Sequence, residues 1–123
     1  MSSEQLLWAV KNGDLQTIKD SLENMSSVNY ALKNNGRTLI HYAADYGQKE
    51  ICAYLINNGA DVNISDNFGV TPLLAAIYEG HVDCVSLLLN NGAKLGVAPD
   101  GSTYVDCATS EDIRNILRNH IVV

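Results

Sequence analysis

No apolar run in this chain approaches the ~18 residues of a membrane-crossing helix. The opening Met1-Ser2-Ser3-Glu4-Gln5 lacks a basic stretch and a cleavable apolar segment. The expectation is a chain in the cytoplasm, with the nucleus as the alternative, and no membrane as partner. Basic side chains are scarce, with 8 Lys and Arg against 14 Asp and Glu and a formal net charge of -6. Nucleic acid is therefore a poor ligand and a basic protein surface a good one. Cysteine is limited to Cys52, Cys84 and Cys107, an odd number with no Cys-x-x-Cys spacing, and His41, His81 and His120 are scattered. Buried reduced thiols are expected rather than a metal centre or redox motif. Phosphate-cradling and dinucleotide fingerprints are missing, and Glu111-Asp112 and Asp100/Asp106 have no nucleophile beside them. The chain is read as no enzyme, without catalytic residues, cofactor or metal.

What is present is a repeat. Gly36-Arg37-Thr38 to Gly59-Ala60 returns at an offset of 33 as Gly69-Val70-Thr71 to Gly92-Ala93, with Gly47 and Gly80 in register. Four signals keep that register: a turn glycine, a Thr-x-Leu or Thr-Pro-Leu helix start, an inter-helix glycine and an Asn-Asn-Gly-Ala ending. The pattern resembles ankyrin repeats, each a turn followed by two antiparallel helices. The fold expected is an all-α ankyrin-repeat solenoid forming one domain over residues 1–123. It divides into an N-terminal cap at 4–30, full repeats at 33–65 and 66–98, and a C-terminal cap at 99–120.

In the N-terminal cap, Leu6 to Val10 forms a first helix and Leu15, Ile18 and Leu22 an apolar stripe on a second, with Asp14 as its cap. The closing helix spans Glu111 to Arg118, with Ile113, Ile116 and Leu117 facing inward. His41 is expected to tie its turn to the helix through the Thr38 hydroxyl or a nearby backbone group. Leu74 replaces it one repeat later, so the tie there should be apolar. Cys52 and Cys84 fall at small apolar positions of the second helices.

Such a stack offers a concave row of helix faces to another macromolecule. The positions just before each inter-helix glycine, and those three or four earlier, select Trp8, Tyr42, Asp45, Tyr46, Tyr78 and Glu79 as partner-binding candidates, with Ala75 in the same row. Trp8 and Tyr42 are open to two readings, interface or wedge between repeats; the other four are read as exposed. Phe68, the only phenylalanine, is read as folding back on a neighbouring finger.

The runs Leu7-Trp8-Ala9-Val10-Lys11-Asn12-Gly13-Asp14-Leu15, His41-Tyr42-Ala43-Ala44-Asp45-Tyr46-Gly47-Gln48 and Thr71-Pro72-Leu73 through Cys84-Val85 resemble the myotrophin family more narrowly. That resemblance implies a monomeric cytosolic regulator that binds heterodimeric actin capping protein, covers its basic surface and so promotes barbed-end growth. Carried over by position, Trp8, Asp45, Tyr78 and Glu79 would be contacts. The loop Asn24 to Asn35, with Lys33, departs from the family, as do a shorter turn at Gly96 to Asp100 and a longer tail at His120 to Val123. The competing readings are a generic ankyrin scaffold and an inhibitor of a cyclin-dependent kinase. Finally, Asn63 in Gly59-Ala60-Asp61-Val62-Asn63, with Leu55 eight residues before it, resembles a target of the ankyrin asparaginyl hydroxylase. Asn29, with Ser21 at that offset, should be a poorer one.

Overall fold

The computed structural model describes residues 2–121, and of Ile121 the backbone only. Met1, Val122 and Val123, part of the single-domain expectation and of the divergent tail, lie outside the described residues. Among the described residues eight helices follow one another: α1 Ser3–Lys11, α2 Leu15–Leu22, α3 Leu39–Asp45, α4 Lys49–Asn57, α5 Pro72–Glu79, α6 Val82–Asn90, α7 Tyr104–Cys107 and α8 Glu111–Ile121. They stack as four antiparallel pairs. α1, α3, α5 and α7 pack side by side in one row, and α2, α4, α6 and α8 in a second. This is the all-helical solenoid that the 33-residue period implies.

The local chemistry explains where each helix begins and ends. Thr71 and Thr103 stand in extended backbone and accept the N–H of Leu74 and Asp106, both at 3.2 Å, so each hydroxyl satisfies a first-turn donor. Pro72 occupies the first turn of α5, where its missing N–H is no loss. α1 starts earlier than the apolar pattern suggests because Ser2 and Gln5 form a reciprocal capping box. The Asn-Asn-Gly endings also gain a reason. Asn58 and Asn91 each donate their amide to the carbonyl four residues back, at Tyr54 and Leu87, both 2.8 Å.

Gly47 is held by two constraints. Its φ is +71°, which a side chain would resist, and a Cβ there would lie 2.6 Å from Nδ1 of His81. The His81 ring occupies that space to bond the carbonyl of Asp45, at 2.9 Å, and so pins the second repeat to the end of α3.

The core runs continuously between the two rows. Ile51, Leu55, Leu73, Leu74, Ile77, Leu88, Ile113 and Leu117 are all fully buried, each contributing about 1.5–3 kcal/mol. Cys52 and Cys84 sit among them as free thiols, while Cys107 is half-buried. Ile113 and Leu117 bring α8 against α6, and Ile116 is partly buried.

A second set of ties runs along the turns. The Asn29 amide donates to the Gly59 carbonyl at 3.3 Å and accepts the Asp61 N–H at 2.7 Å. One repeat later Asn63 does the same with Gly92, at 3.0 Å, and Lys94, at 2.8 Å.

Candidate functional site

The inter-helix glycines set the register of the concave row. Immediately before Gly47 the chain reads Asp45-Tyr46, and before Gly80 it reads Tyr78-Glu79. Because α3 and α5 lie side by side, acid and aromatic alternate across the two helices as well as along each. Tyr46 is 41% exposed, Tyr78 45% and Trp8 on α1 59%, and Glu79 is exposed as well. Asp45 and Glu79 are the last residues of their helices, where the carbonyl-rich end already favours a cation. Burial and the neighbouring Cys107 thiol hold the Tyr78 phenol above its ordinary range, so it stays protonated and able to donate.

Of the six selected residues, Tyr42, open to two readings, is buried, and Asp45, expected to be exposed, is not. Tyr42 is only 9% exposed, its hydroxyl taken by the Asn35 amide at 3.0 Å and its ring lying under the Arg37 guanidinium, 5.6 Å away. Tyr42 is thus enclosed by Asn35 and Arg37 of its own repeat and presents little surface to a partner. Asp45 is half-buried instead of exposed, and its carboxylate lies 3.9 Å from Arg37. Burial raises its pKa above the ordinary 3.8, opposed by Arg37 and reinforced by Glu79. Ala75 is likewise buried, so α5 offers only Tyr78 and Glu79 to a partner.

Arg37 explains both displacements. Its Nε donates to the buried Asp66 at 3.1 Å, which fixes the guanidinium over Tyr42 and beside Asp45. Burial alone would raise the Asp66 pKa. The N–H groups of Val70 and Phe68 and the Arg37 charge outweigh it, and the carboxyl sits below its ordinary value. These N–H groups reach one oxygen of Asp66 at 2.9 and 2.8 Å.

Phe68 does not fold back on a neighbour. It is 70% exposed at the tip of the second finger. The sequence carries a signal for this: Asp66 two and four residues before Phe68 and Val70 is an aspartate turn that fixes the backbone independently of the ring.

Asn63 is engaged through both polar atoms of its side-chain amide and through its own N–H, which donates to Asp61 at 2.9 Å in addition to the amide bonds above. Two surface depressions measure about 350 Å³, between Leu22–Asn29 and Asn58–Gly59, and about 540 Å³, beside Ser3, Glu4 and Leu32–Asn35. Neither is lined by Trp8, Tyr46, Tyr78 or Glu79. Among the described residues no group of three His, Cys, Asp or Glu is placed to hold a metal ion, and no helix is long and apolar enough to cross a membrane.

Comparison with known proteins agrees with the fold. A sequence model of ankyrin repeats in three copies matches residues 6–118. Myotrophin of Xenopus tropicalis is 42% identical over 61 residues, which cover 50% of this chain and 51% of that protein. The 26S proteasome non-ATPase regulatory subunit 10 of Dictyostelium discoideum is 38% identical over 91 residues, 73% of this chain and 39% of the relative. Serine/threonine-protein kinase 12 of Arabidopsis thaliana is 32% identical over 95 residues, 77% and 20%. The chain thus aligns with about half or less of each of these relatives. The stacked helix pairs, the 33-residue register and the match over nearly the whole described chain place it in the ankyrin-repeat family.

Proposed function

We propose that this chain is a non-enzymatic protein-binding regulator of the myotrophin type, which sequesters heterodimeric actin capping protein and thereby promotes barbed-end actin growth. The observation that carries the reading is the exposed set Trp8, Tyr46, Tyr78 and Glu79 on three adjacent inner helices of an acidic chain. Aromatic anchors with a carboxylate rim suit a basic protein surface. The similarity to Xenopus myotrophin supports the choice of partner. On this reading the chain works as a monomer in the cytoplasm, and Asp45 contributes charge from a half-buried position.

A seeded actin-elongation assay tests it. Added protein should restore growth that capping protein has blocked, without binding actin; no rescue at a large excess over capping protein would sink the reading. The double variant Asp45→Lys with Glu79→Lys should slow association. That effect should shrink between about 50 and 300 mM salt, as the Debye length falls below about 10 Å.

A generic ankyrin scaffold is the second reading, favoured by the breadth of relatives, which include a proteasome regulatory subunit and a kinase. Capture of capping protein by the wild type, lost in Trp8→Ala with Tyr78→Ala, separates the two. Asn63 is proposed as a hydroxylation site. Since its amide ties two turns together, the reaction requires local opening of that turn. Incubation with the asparaginyl hydroxylase followed by peptide mass mapping decides it, and oxygen added only at Asn29, or nowhere, would defeat it.

A further inference from the structure

A singly exposed apolar side chain is ordinary on a protein surface. Phe68 differs in how it is displayed. Among the exposed large hydrophobics of the described residues it is the most exposed, at 70%. Its turn is fixed from several sides. The Phe68 and Val70 N–H groups reach Asp66, the Gly69 N–H bonds the Asp66 carbonyl at 3.2 Å, and the Asn67 N–H bonds the Asn35 carbonyl of the first finger at 2.8 Å. An apolar neighbour is close, since Pro99 lies 3.6 Å from where a Cβ of Gly69 would stand. The ring is nonetheless left in solvent.

The position matters as much as the rigidity. Phe68 tops the middle of three fingers, between polar tips at Asn34-Asn35 and Asp100-Gly101. A rigid aromatic near the centre of a surface, with an apolar neighbour in Pro99 and polar groups at the flanking tips, is the arrangement of an interface hot spot. The turn is also tied to the concave row by a largely buried chain of contacts: Asp66, which holds the Phe68 N–H, is bound by Arg37, and Arg37 lies over Tyr42 and beside Asp45 on α3, the helix that leads into Tyr46.

We propose that Phe68 is a partner-binding anchor, so that the binding surface extends from Trp8, Tyr46, Tyr78 and Glu79 over the tip of the second finger, and that the partner protein offers an apolar recess beside its basic patch. This rests on the capping-protein reading above. A pre-fixed turn loses little freedom on binding, so the ring acts mainly on how long the complex lasts.

The test measures association and dissociation of purified capping protein with wild type, Phe68→Ala, Phe68→Leu and Tyr30→Ala. Tyr30 is 58% exposed in the loop between α2 and the first finger and serves as the control. Phe68→Ala should dissociate about tenfold faster with an on-rate within about twofold of wild type, corresponding to about 1.4 kcal/mol. Phe68→Leu should recover part of the loss, Tyr30→Ala should match wild type, and the melting temperatures should stay together. Wild-type binding with no change in Phe68→Ala, or an equal loss in Tyr30→Ala, overturns the anchor while leaving the capping-protein reading in place. Absence of wild-type binding overturns that reading and this extension with it.

Discussion

The two full repeats hold on to their neighbours by different means at the same place. In the first, the buried His41 ring accepts the Thr38 N–H at Nδ1, at 3.2 Å, so its proton belongs on Nε2, which donates to the Val70 carbonyl of the next finger at 2.9 Å. In the second, Leu74 replaces the histidine, and an apolar tie was expected. The link is instead polar: Tyr104 from the following unit reaches across to the Thr71 hydroxyl at 2.9 Å, while that hydroxyl still caps Leu74. One junction reaches forward with an imidazole and the other backward with a phenol. In this chain both junctions bridge adjacent turns, each with a different side chain.

Breaking the histidine junction should have the largest effect. His41→Leu removes the partner of the buried Thr38 N–H and of the Val70 carbonyl together, and unpaired buried groups cost about 1–3 kcal/mol each. We expect a loss of about 2–4 kcal/mol in urea unfolding. A loss below about 1 kcal/mol would show that the imidazole bridge is dispensable in the first repeat.

The same residue gives this junction a pH dependence. Burial, set against the Val70 bond, lowers the His41 pKa from 6.5, so the folded state keeps the ring neutral where the unfolded chain already takes a proton. The unfolded state then binds more protons, and stability must fall as pH drops below 6.5 toward the folded-state value, with a slope of at most about 1.4 kcal/mol per pH unit. Above 6.5 both states are neutral and this contribution is flat. Denaturant melts from pH 5 to 8 should show that slope in wild type and a reduced one in His41→Leu.

Smaller changes are expected where the ties are nearer solvent. Asn63→Ala breaks the amide bonds to Gly92 and Lys94 and should cost about 1–2 kcal/mol. Tyr104→Phe loses one part-buried hydroxyl pair and should cost about 0.5–1.5 kcal/mol. A Tyr104→Phe loss equal to that of His41→Leu would erase the asymmetry between the junctions.

The helical plan was legible because glycine, threonine and the asparagine pair mark helix ends by mechanisms that act within a few residues. Gly47, Thr71 and Asn58 each do what their local chemistry requires. The orientation of the face was less legible because it depends on a contact 29 residues away. Nothing near Tyr42 announces that Arg37 will lie on its ring, since Arg37 is held there by Asp66 in the next finger. Tyr46 and Tyr78, at the ends of their helices and clear of that contact, were placed correctly as exposed. At Phe68 the hydrophobicity of the ring points inward, but the stiffness of its turn holds it in solvent.

The smallest predicted effect is kinetic, and it tests the comparison without altering the protein. Cys52 on α4 and Cys84 on α6 lie in hydrogen-bond contact across the boundary of the two repeats, each on the helix of its own repeat, while Cys107 at the end of α7 is half-buried. A thiol reagent should modify Cys107 first, and slowly at neutral pH, because burial and the nearby Asp100 raise its pKa above 9.0. Cys52 and Cys84 should react only through opening events, whose frequency follows the local stability of the unit around each. The first repeat is bridged through a fully buried ring and the second through a part-buried hydroxyl pair, so Cys84 should open ahead of Cys52. Timed labelling with peptide mass mapping reads the order directly. Cys52 reacting first, or both reacting as fast as Cys107, would mean that the buried imidazole does not make its junction the tighter of the two.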